Sequence, residues 1–375
     1  MEPSSLRTPR EVAALGLVAE GGHPDLASCT ISVMLNVGLV GFGFAAKTFH
    51  APVIRVVDGL RLTTIVQRHG SPEPRFADVE FVRSVDELLT RVVDLVVIAT
   101  PNQSHHPIAQ QCLLAGRHVV IDKPFTTTVA EAEELVQLGK AKARVLSAYQ
   151  NRRYVGDFVT LRKLLSEGVL GRVTTFESHF DRFRAELRPG SWREQALPGS
   201  GLWFDLGSHL LDQALVLFGN PQAIAADIRI ERDGATADDA FDVTLHYPHM
   251  RALLRASMLA AAPGPTFTVH GTKGSFIKYG LDPQEAALKS GRMPDEANWD
   301  AEPPEMYGRL TTPEGTRTIP TIPSSFARYY ENVRDAILGK AQLAVTPEQA
   351  LNVMRGLELG LASSQKRCAL LAQYW

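Results

Sequence analysis

The stretch Val37-Gly38-Leu39-Val40-Gly41-Phe42-Gly43-Phe44-Ala45-Ala46 decides the fold. Val37–Val40 reads as a buried strand that ends in glycines, and residues 45–57 read as a helix. Gly41-x-Gly43-x-x-Ala46 at that junction matches the G-x-G-x-x-G/A dinucleotide fingerprint. Gly41 permits the tight turn, Gly43 lets backbone approach a pyrophosphate, and Ala46 allows close helix–strand packing. The helix start adds amide donors and the positive end of its dipole. Outward from this turn, Leu60–Val66, Glu80–Val82, Asp94–Ala99, Arg117–Ile121 and residues 144–148 read as strands, with helices at 104–115 and 129–143. Val- and Ile-rich strands each followed by a helix predict βαβ units and a parallel sheet buried on both faces. This half ends near Gln150.

The second half changes character. After a helix at about 155–167 come alternating stretches at 172–180, 223–231, 240–247, 251–260 and 266–279, interrupted by a helix at about 204–218. Helices at about 325–338 and 347–365 finish the chain, and the Pro- and charge-rich stretch 290–324 reads as loop. Strands in succession predict a mainly antiparallel sheet with one open face. The fold class is therefore α/β, with a dinucleotide-binding domain over 34–150 and a second α/β domain over 151–375. Residues 1–33 read as a flexible extension, or translation starts at Met34; a signal peptide's basic start and cleavage site are missing.

Composition agrees. The 375 residues exceed the size at which one core stops growing, and 45% hydrophobic with 21% charged excludes a disordered chain. Lys+Arg number 39 and Asp+Glu 41, a balance that argues against nucleic acid or an anionic membrane as main partner. No apolar run is long enough to cross a bilayer. Cys29, Cys112 and Cys368 are odd in number and lack CxxC spacing, which fits reduced thiols in the cytosol.

An NAD site places Asp or Glu about 20 residues past the glycines. Here the second strand ends Val66-Gln67-Arg68-His69, so Arg68 is free to pair with a 2′-phosphate and NADP is preferred over NAD. Thr100-Pro101-Asn102-Gln103-Ser104-His105 follows the end of the fourth strand, Asp94–Ala99, where ligands bind in open α/β sheets, although Ser104 also suits a helix N-cap. No motif has metal-ligand spacing. Asp122-Lys123-Pro124 ends the fifth strand; its cation either hydrogen-bonds a substrate oxygen, with Asp122 as counter-charge, or closes a surface salt bridge. Asp205, His209 and Asp212 are spaced i, i+4, i+7 on one predicted helical face. A histidine between carboxylates gains proton affinity, which suits a general base; a structural hydrogen bond is the other reading.

On these motifs the chain resembles the Gfo/Idh/MocA family of NAD(P)-dependent oxidoreductases, from about Met34 to the C-terminus. The family more often has Glu before the lysine, so Asp122 is a conservative departure. Ala45-Ala46-Lys47-Thr48-Phe49-His50-Ala51-Pro52, Gln150-Asn151-Arg152-Arg153 and Glu177-Ser178-His179-Phe180-Asp181-Arg182 resemble the NADP-dependent scyllo-inositol dehydrogenase branch. The resemblance implies a Rossmann domain joined to an α/β domain whose open sheet often serves oligomerisation. It implies that His209 takes the proton of a substrate hydroxyl, that Lys123 binds that oxygen and helps position the nicotinamide, and that Asp205 orients His209. Expected cofactor contacts are Gly41, Phe42, Gly43, Phe44, Ala45, Arg68, Thr100, Asn102, His105, Asp122, Lys123 and Asn151. Expected substrate contacts are Lys123, Asn151, Arg153, Asp181, Trp192, Arg193, Asp205 and His209. The expected function is hydride transfer between NADP (or NAD) and a cyclic polyol or sugar, by a cytoplasmic homo-oligomer. A reductase of another keto-sugar or carbonyl is the alternative. A non-catalytic nucleotide sensor of this fold would be expected to lose the Lys, Asp and His set, which is present here.

Overall fold

Val37, Leu39, Val96, Val97, Val119 and Val120 are fully buried, as strands covered on both faces require. The computed structural model describes residues 33–188, 190 and 194–373. Residues 1–32, with Cys29 and nearly all of the expected extension, and the site candidates Trp192 and Arg193 lie outside the described residues. The first sheet contains β1 (Leu35–Val40), β2 (Leu60–Val66), β3 (Glu80–Val82), β4 (Leu95–Ile98), β5 (His118–Ile121) and β6 (Leu146–Ala148). Their order is β3-β2-β1-β4-β5-β6, all parallel, the dinucleotide-binding arrangement with its switch point between β1 and β4. Helices α1 (Ala51–Arg55), α2 (Val85–Leu89), α3 (His105–Leu114) and α4 (Val129–Ala141) connect them. Ser84 caps α2, and Thr128 with Glu131 forms a capping box on α4. The helix predicted over 45–57 is less regular than its sequence suggests: a wide π-helical turn, Ala46–His50, precedes α1.

The second domain adds α5 (Gly156–Ser166), α6 (Ser208–Phe218), α7 (Gln284–Lys289), α8 (Ala327–Ile337) and α9 (Pro347–Lys366). Its sheet holds β7 (Val173–His179), β8 (Ala223–Arg229), β9 (Ala240–His246), β10 (Arg251–Ser257), β11 (Phe267–Gly271), β12 (Ser275–Lys278), β13 (Gly308–Thr312), β14 (Gly315–Ile319) and β15 (Leu370–Leu371). The order is β14-β13-β12-β11-β7-β10-β9-β8-β15, antiparallel except where β7 meets β10. Three details differ from the sequence reading. The 266–279 stretch is a hairpin, β11–β12. Part of the expected 290–324 loop is a second hairpin, β13–β14, whose outer strand is almost wholly exposed and so lacks the apolar alternation that marks a strand. Helix α7 has only six residues, too few for a periodic signal.

The last helices return to the first sheet. Tyr329 on α8 donates to Ser147 Oγ on β6 at 2.8 Å. On α9, Glu358 accepts from the Val129 N–H at 2.7 Å and Arg355 pairs with Glu133 at 2.9 Å, fixing α9 to α4. A capping box of Thr346 and Gln349, with Pro347 at the first helical position, starts α9. Among the described residues no helix is long and apolar enough to cross a membrane.

Trp203 is fully buried just before α6, with its indole N–H donating to Leu357 O on α9 at 2.9 Å. Glycine is required where this ring meets two helices: a Cβ at Gly360 would stand 2.8 Å from Trp203 Cζ2, and one at Gly207 would overlap the ring. Gly207→Ala is therefore expected to cost about 1–3 kcal/mol by overpacking. A urea-unfolding midpoint equal to the wild type would show that the ring yields freely.

Candidate active site

Gly41 turns the chain at φ +87°, where an added Cβ would stand 2.8 Å from Ala99 O and from Thr100 Cγ2. At Gly43 a Cβ would meet nothing within 4 Å, so the backbone there is open to a ligand. Phe44 and Ala45 follow into a cleft of 440 Å³ that also receives Lys123, Asn151, Asp205 and His209. Phe44 is exposed and stands edge-on to Phe49, with ring centroids 5.7 Å apart. The Phe42 side chain instead packs into the core against Phe76 and Phe81, leaving only its backbone for a cofactor. Arg68 is exposed just after β2 and has no carboxylate partner among the described residues. Thr100 accepts from Ser104 Oγ at 2.8 Å, half-buried at the end of β4.

Two expected cofactor contacts are braces. Asn102 is buried and donates to Gly199 O at 2.6 Å, tying the β4 loop to the turn before Trp203. His105 is fully buried, with Nδ1 2.9 Å from Pro124 O and Nε2 3.0 Å from Thr100 O. Burial lowers its proton affinity although Asp122 and the two carbonyls pull the other way. Its imidazole clamps the β4 and β5 loops together.

Lys123 carries the cation into the cleft. Its ammonium donates to the Asp205 carboxylate at 2.6 Å and to Asp205 O at 2.7 Å, so one lysine grips both backbone and side chain of the second domain. The direct ion pair of Lys123 is thus with Asp205, and Asp122 acts on it only at longer range. The Asp122 carboxylate accepts from the Lys123 backbone N–H at 2.8 Å and lies 3.7 Å from His50 Nε2. Burial disfavours its charge, but His50, Lys123 and His105 outweigh that and hold the carboxyl down at about 2. His50 in turn contacts Tyr330 Oη on α8 through Nδ1, at 2.6 Å.

The predicted carboxylate–histidine–carboxylate face does not form. Residues Trp203–Gly207 make a π-helical turn, which breaks the α-helical spacing of Asp205 to α6. Asp212 is buried against Arg153 in a two-point pair at 2.6 and 2.7 Å. Arg153 also donates to Ala344 O and Gln349 Oε1 and does not line the cleft. His209 is buried and lines the cleft, and its Nδ1 has no hydrogen-bond partner among the described residues. Burial first, then the Lys123 and Arg152 cations, hold its imidazole well below the ordinary histidine range, against Asp205 and Asp122. The expected gain in proton affinity is reversed, because burial and the two cations outweigh the carboxylates of Asp205 and Asp122. Asp181 faces His179 Nδ1 at 3.5 Å and the Gly264 N–H at 3.4 Å, and does not line the cleft.

Sequence reasoning passed over Arg152, Tyr149, Arg182 and Glu285, which do line it. Arg152 is buried, pairs with Glu285 on α7 and lies 4.9 Å from the centroid of the Phe180 ring. Both arginines stand in the run Gln150–Arg153; which one faces the cleft is set by the short 3₁₀ turn after β6. Among the described residues no group of three His, Cys, Asp or Glu side chains is placed to hold a metal ion.

A neutral imidazole and an ammonium at one opening can share a hydroxyl: the imidazole accepts its proton while the cation stabilises the oxygen left behind. Because Lys123 depresses His209, Lys123→Met should move the His209 titration to higher pH, read from its imidazole NMR signals; an unmoved titration would separate the two groups. Arg153→Met leaves Asp212 buried and uncompensated, and should cost about 3–5 kcal/mol in denaturant unfolding. A loss under about 1 kcal/mol would show that Asp212 finds another partner.

Comparison with known proteins agrees with this geometry. Residues 35–150 match the NAD-binding Rossmann fold of the Gfo/Idh/MocA oxidoreductase family, and residues 162–369 match that family's C-terminal α/β domain. The uncharacterized oxidoreductase YdgJ of Escherichia coli is 46% identical over 345 residues, 90% of this chain and 98% of its own. The scyllo-inositol 2-dehydrogenase (NADP(+)) IolW of Bacillus subtilis is 37% identical over 346 residues, covering 91% and 96%. The solved structure of YvaA from Bacillus subtilis superposes with a TM-score of 0.88 at 37% identity, over 91% of this chain and 99% of that one. The chain belongs to the Gfo/Idh/MocA family of oxidoreductases.

Proposed function

We propose that this oxidoreductase acts on the CH–OH group of a cyclic polyol or sugar, with NADP preferred over NAD. The observation that carries the reading is the Lys123 ammonium, held by Asp205 beside a neutral, buried His209 in the cleft that Phe44 and Ala45 enter. The chain's residues fit a nicotinamide dinucleotide: Gly43 leaves open space where a pyrophosphate would approach, and exposed Arg68 suits a 2′-phosphate. When bound, the nicotinamide supplies the two-electron acceptor or donor. His209 takes the hydroxyl proton during oxidation and returns it during reduction. Lys123 stabilises the alkoxide-like oxygen, and Asp205 keeps the ammonium aimed. The name of the IolW relative, a scyllo-inositol 2-dehydrogenase (NADP(+)), supports this substrate class and cofactor.

The same reading includes a cytoplasmic setting, with Cys112 and Cys368 as free thiols. It also includes a second copy of the chain across the outer face of the large sheet, where Arg229 and Arg255 both pair with Asp242.

A panel of inositols, sugars and keto-sugars, followed by nicotinamide absorbance with NADP and NAD in parallel, tests the proposal. Lys123→Ala and His209→Ala should each lower turnover by about 100-fold or more while NADPH still binds. Full activity in both would remove their assigned roles. Arg68→Ala should weaken NADP by about tenfold and leave NAD unaffected, since only the 2′-phosphate meets it. Equal losses for both cofactors would refute that contact.

A further inference from the structure

The cleft is more cationic than neutral polyol chemistry needs. Among the described residues six cationic side chains line it (Lys123, Arg152, Arg182, Arg184, Arg188 and Lys289) against the three carboxylates of Asp122, Asp205 and Glu285. Those carboxylates are engaged: Asp205 by Lys123, Glu285 by both Arg152 and Lys289, and Asp122 by the His50 side of its pocket. The guanidiniums of Arg182, Arg184 and Arg188 have no carboxylate partner among the described residues. The whole chain carries a formal charge of −2, so this excess is local.

Phe180 organises the excess. Arg152 and Arg182 each lie 4.9 Å from the centroid of its ring, so one aromatic side chain holds two like charges close together. Arg182 is half-buried, and burial followed by the nearby cations Arg184 and Arg152 weakens its hold on its proton, against Asp205 and Glu285. Packing guanidiniums together without a counter-ion is unfavourable, and an incoming carboxylate or phosphate relieves it with bidentate hydrogen bonds. Arg182, Arg184 and Arg188 belong to the second domain, in the segment after β7, whereas the open backbone suited to a pyrophosphate lies in the first, at Gly43.

Resting on the dehydrogenase reading above, we propose that the preferred substrate is an anionic sugar or polyol, bearing a carboxylate or a phosphate monoester. Its anionic end sits on Arg182 and Arg184, and its reacting hydroxyl meets Lys123 and His209. The arrangement is self-consistent, because a bound anion offsets the cations that depress His209 and so strengthens the base when substrate is present.

The test compares matched pairs, D-galactose with D-galacturonate and scyllo-inositol with its monophosphate, in wild type, R182Q/R184Q and R182K/R184K. Both kcat/KM and equilibrium binding to the NADP complex are measured. The charged member of at least one pair should be favoured by about tenfold or more. R182Q/R184Q should erase that ratio, R182K/R184K should keep part of it, and neither should alter NADPH affinity. The carboxylate and phosphate arms tell which anion is taken. Turnover that favours the neutral members, or an R182Q/R184Q variant that loses NADPH affinity, overturns the anion site and leaves the dehydrogenase reading intact. Arginine-dependent binding of an anion with no turnover of any pair upholds the anion site and overturns the dehydrogenase reading. Neither binding nor turnover overturns both.

Discussion

The contact between the Lys123 ammonium and Asp205 makes one site out of two domains. Lys123 leaves the end of a parallel strand, and Asp205 stands in a π-helical turn of the other domain. Each is placed by its own core: one by β5 within a sheet buried on both faces, the other by the Trp203 ring locked between glycines and α9. The ammonium takes two acceptors from a single residue, which fixes its direction as well as its position. A point charge on a flexible stem becomes an oriented donor only through such a grip.

The same pair sets the electrostatics of its neighbours. Burial disfavours a charged His209 first, and the Lys123 cation adds to that, against the opposing pull of Asp205. The imidazole stays neutral, which is the form able to receive a proton. Asp122 lines the same cleft, ionised beside His50, whose ring packs against Tyr149 and Tyr330. The site thus contains a neutral base, an oriented cation and a half-buried anion, each state enforced by surroundings and not by residue type alone.

Much of this was legible in the sequence, for physical reasons that differ by element. Gly41 and the apolar run before it declare the turn because a side chain at Gly41's positive φ would meet Ala99 and Thr100, while Gly43 keeps the backbone open. Lys123 and His209 were legible because each ends up at the ligand edge, where strand or helix termini place them. What failed was direction within short irregular segments. Arg152 and not Arg153 lines the cleft, and a four-residue turn has no period to tell inward from lateral. Asp205 reads as one face with His209 and Asp212 only if the helix is regular, and the π turn breaks Asp205's register while Arg153 takes Asp212. His105 and Asn102 sit in the predicted loop but serve the fold, since a loop under a ligand must itself be braced. The β13–β14 hairpin escaped because an edge strand with little buried face looks like any polar loop.

Tyr329 meets Ser147 from 182 residues further along the chain, and Glu358 meets Val129 across 229. The nucleotide-binding half therefore completes its outer packing with segments synthesised long after its own strands. During translation β6 and α4 emerge without their cover, and the apolar face that α9 later occupies remains open to the surroundings. The order of synthesis and the order of consolidation run in opposite directions here: the first domain to be written is finished by the last helix to arrive.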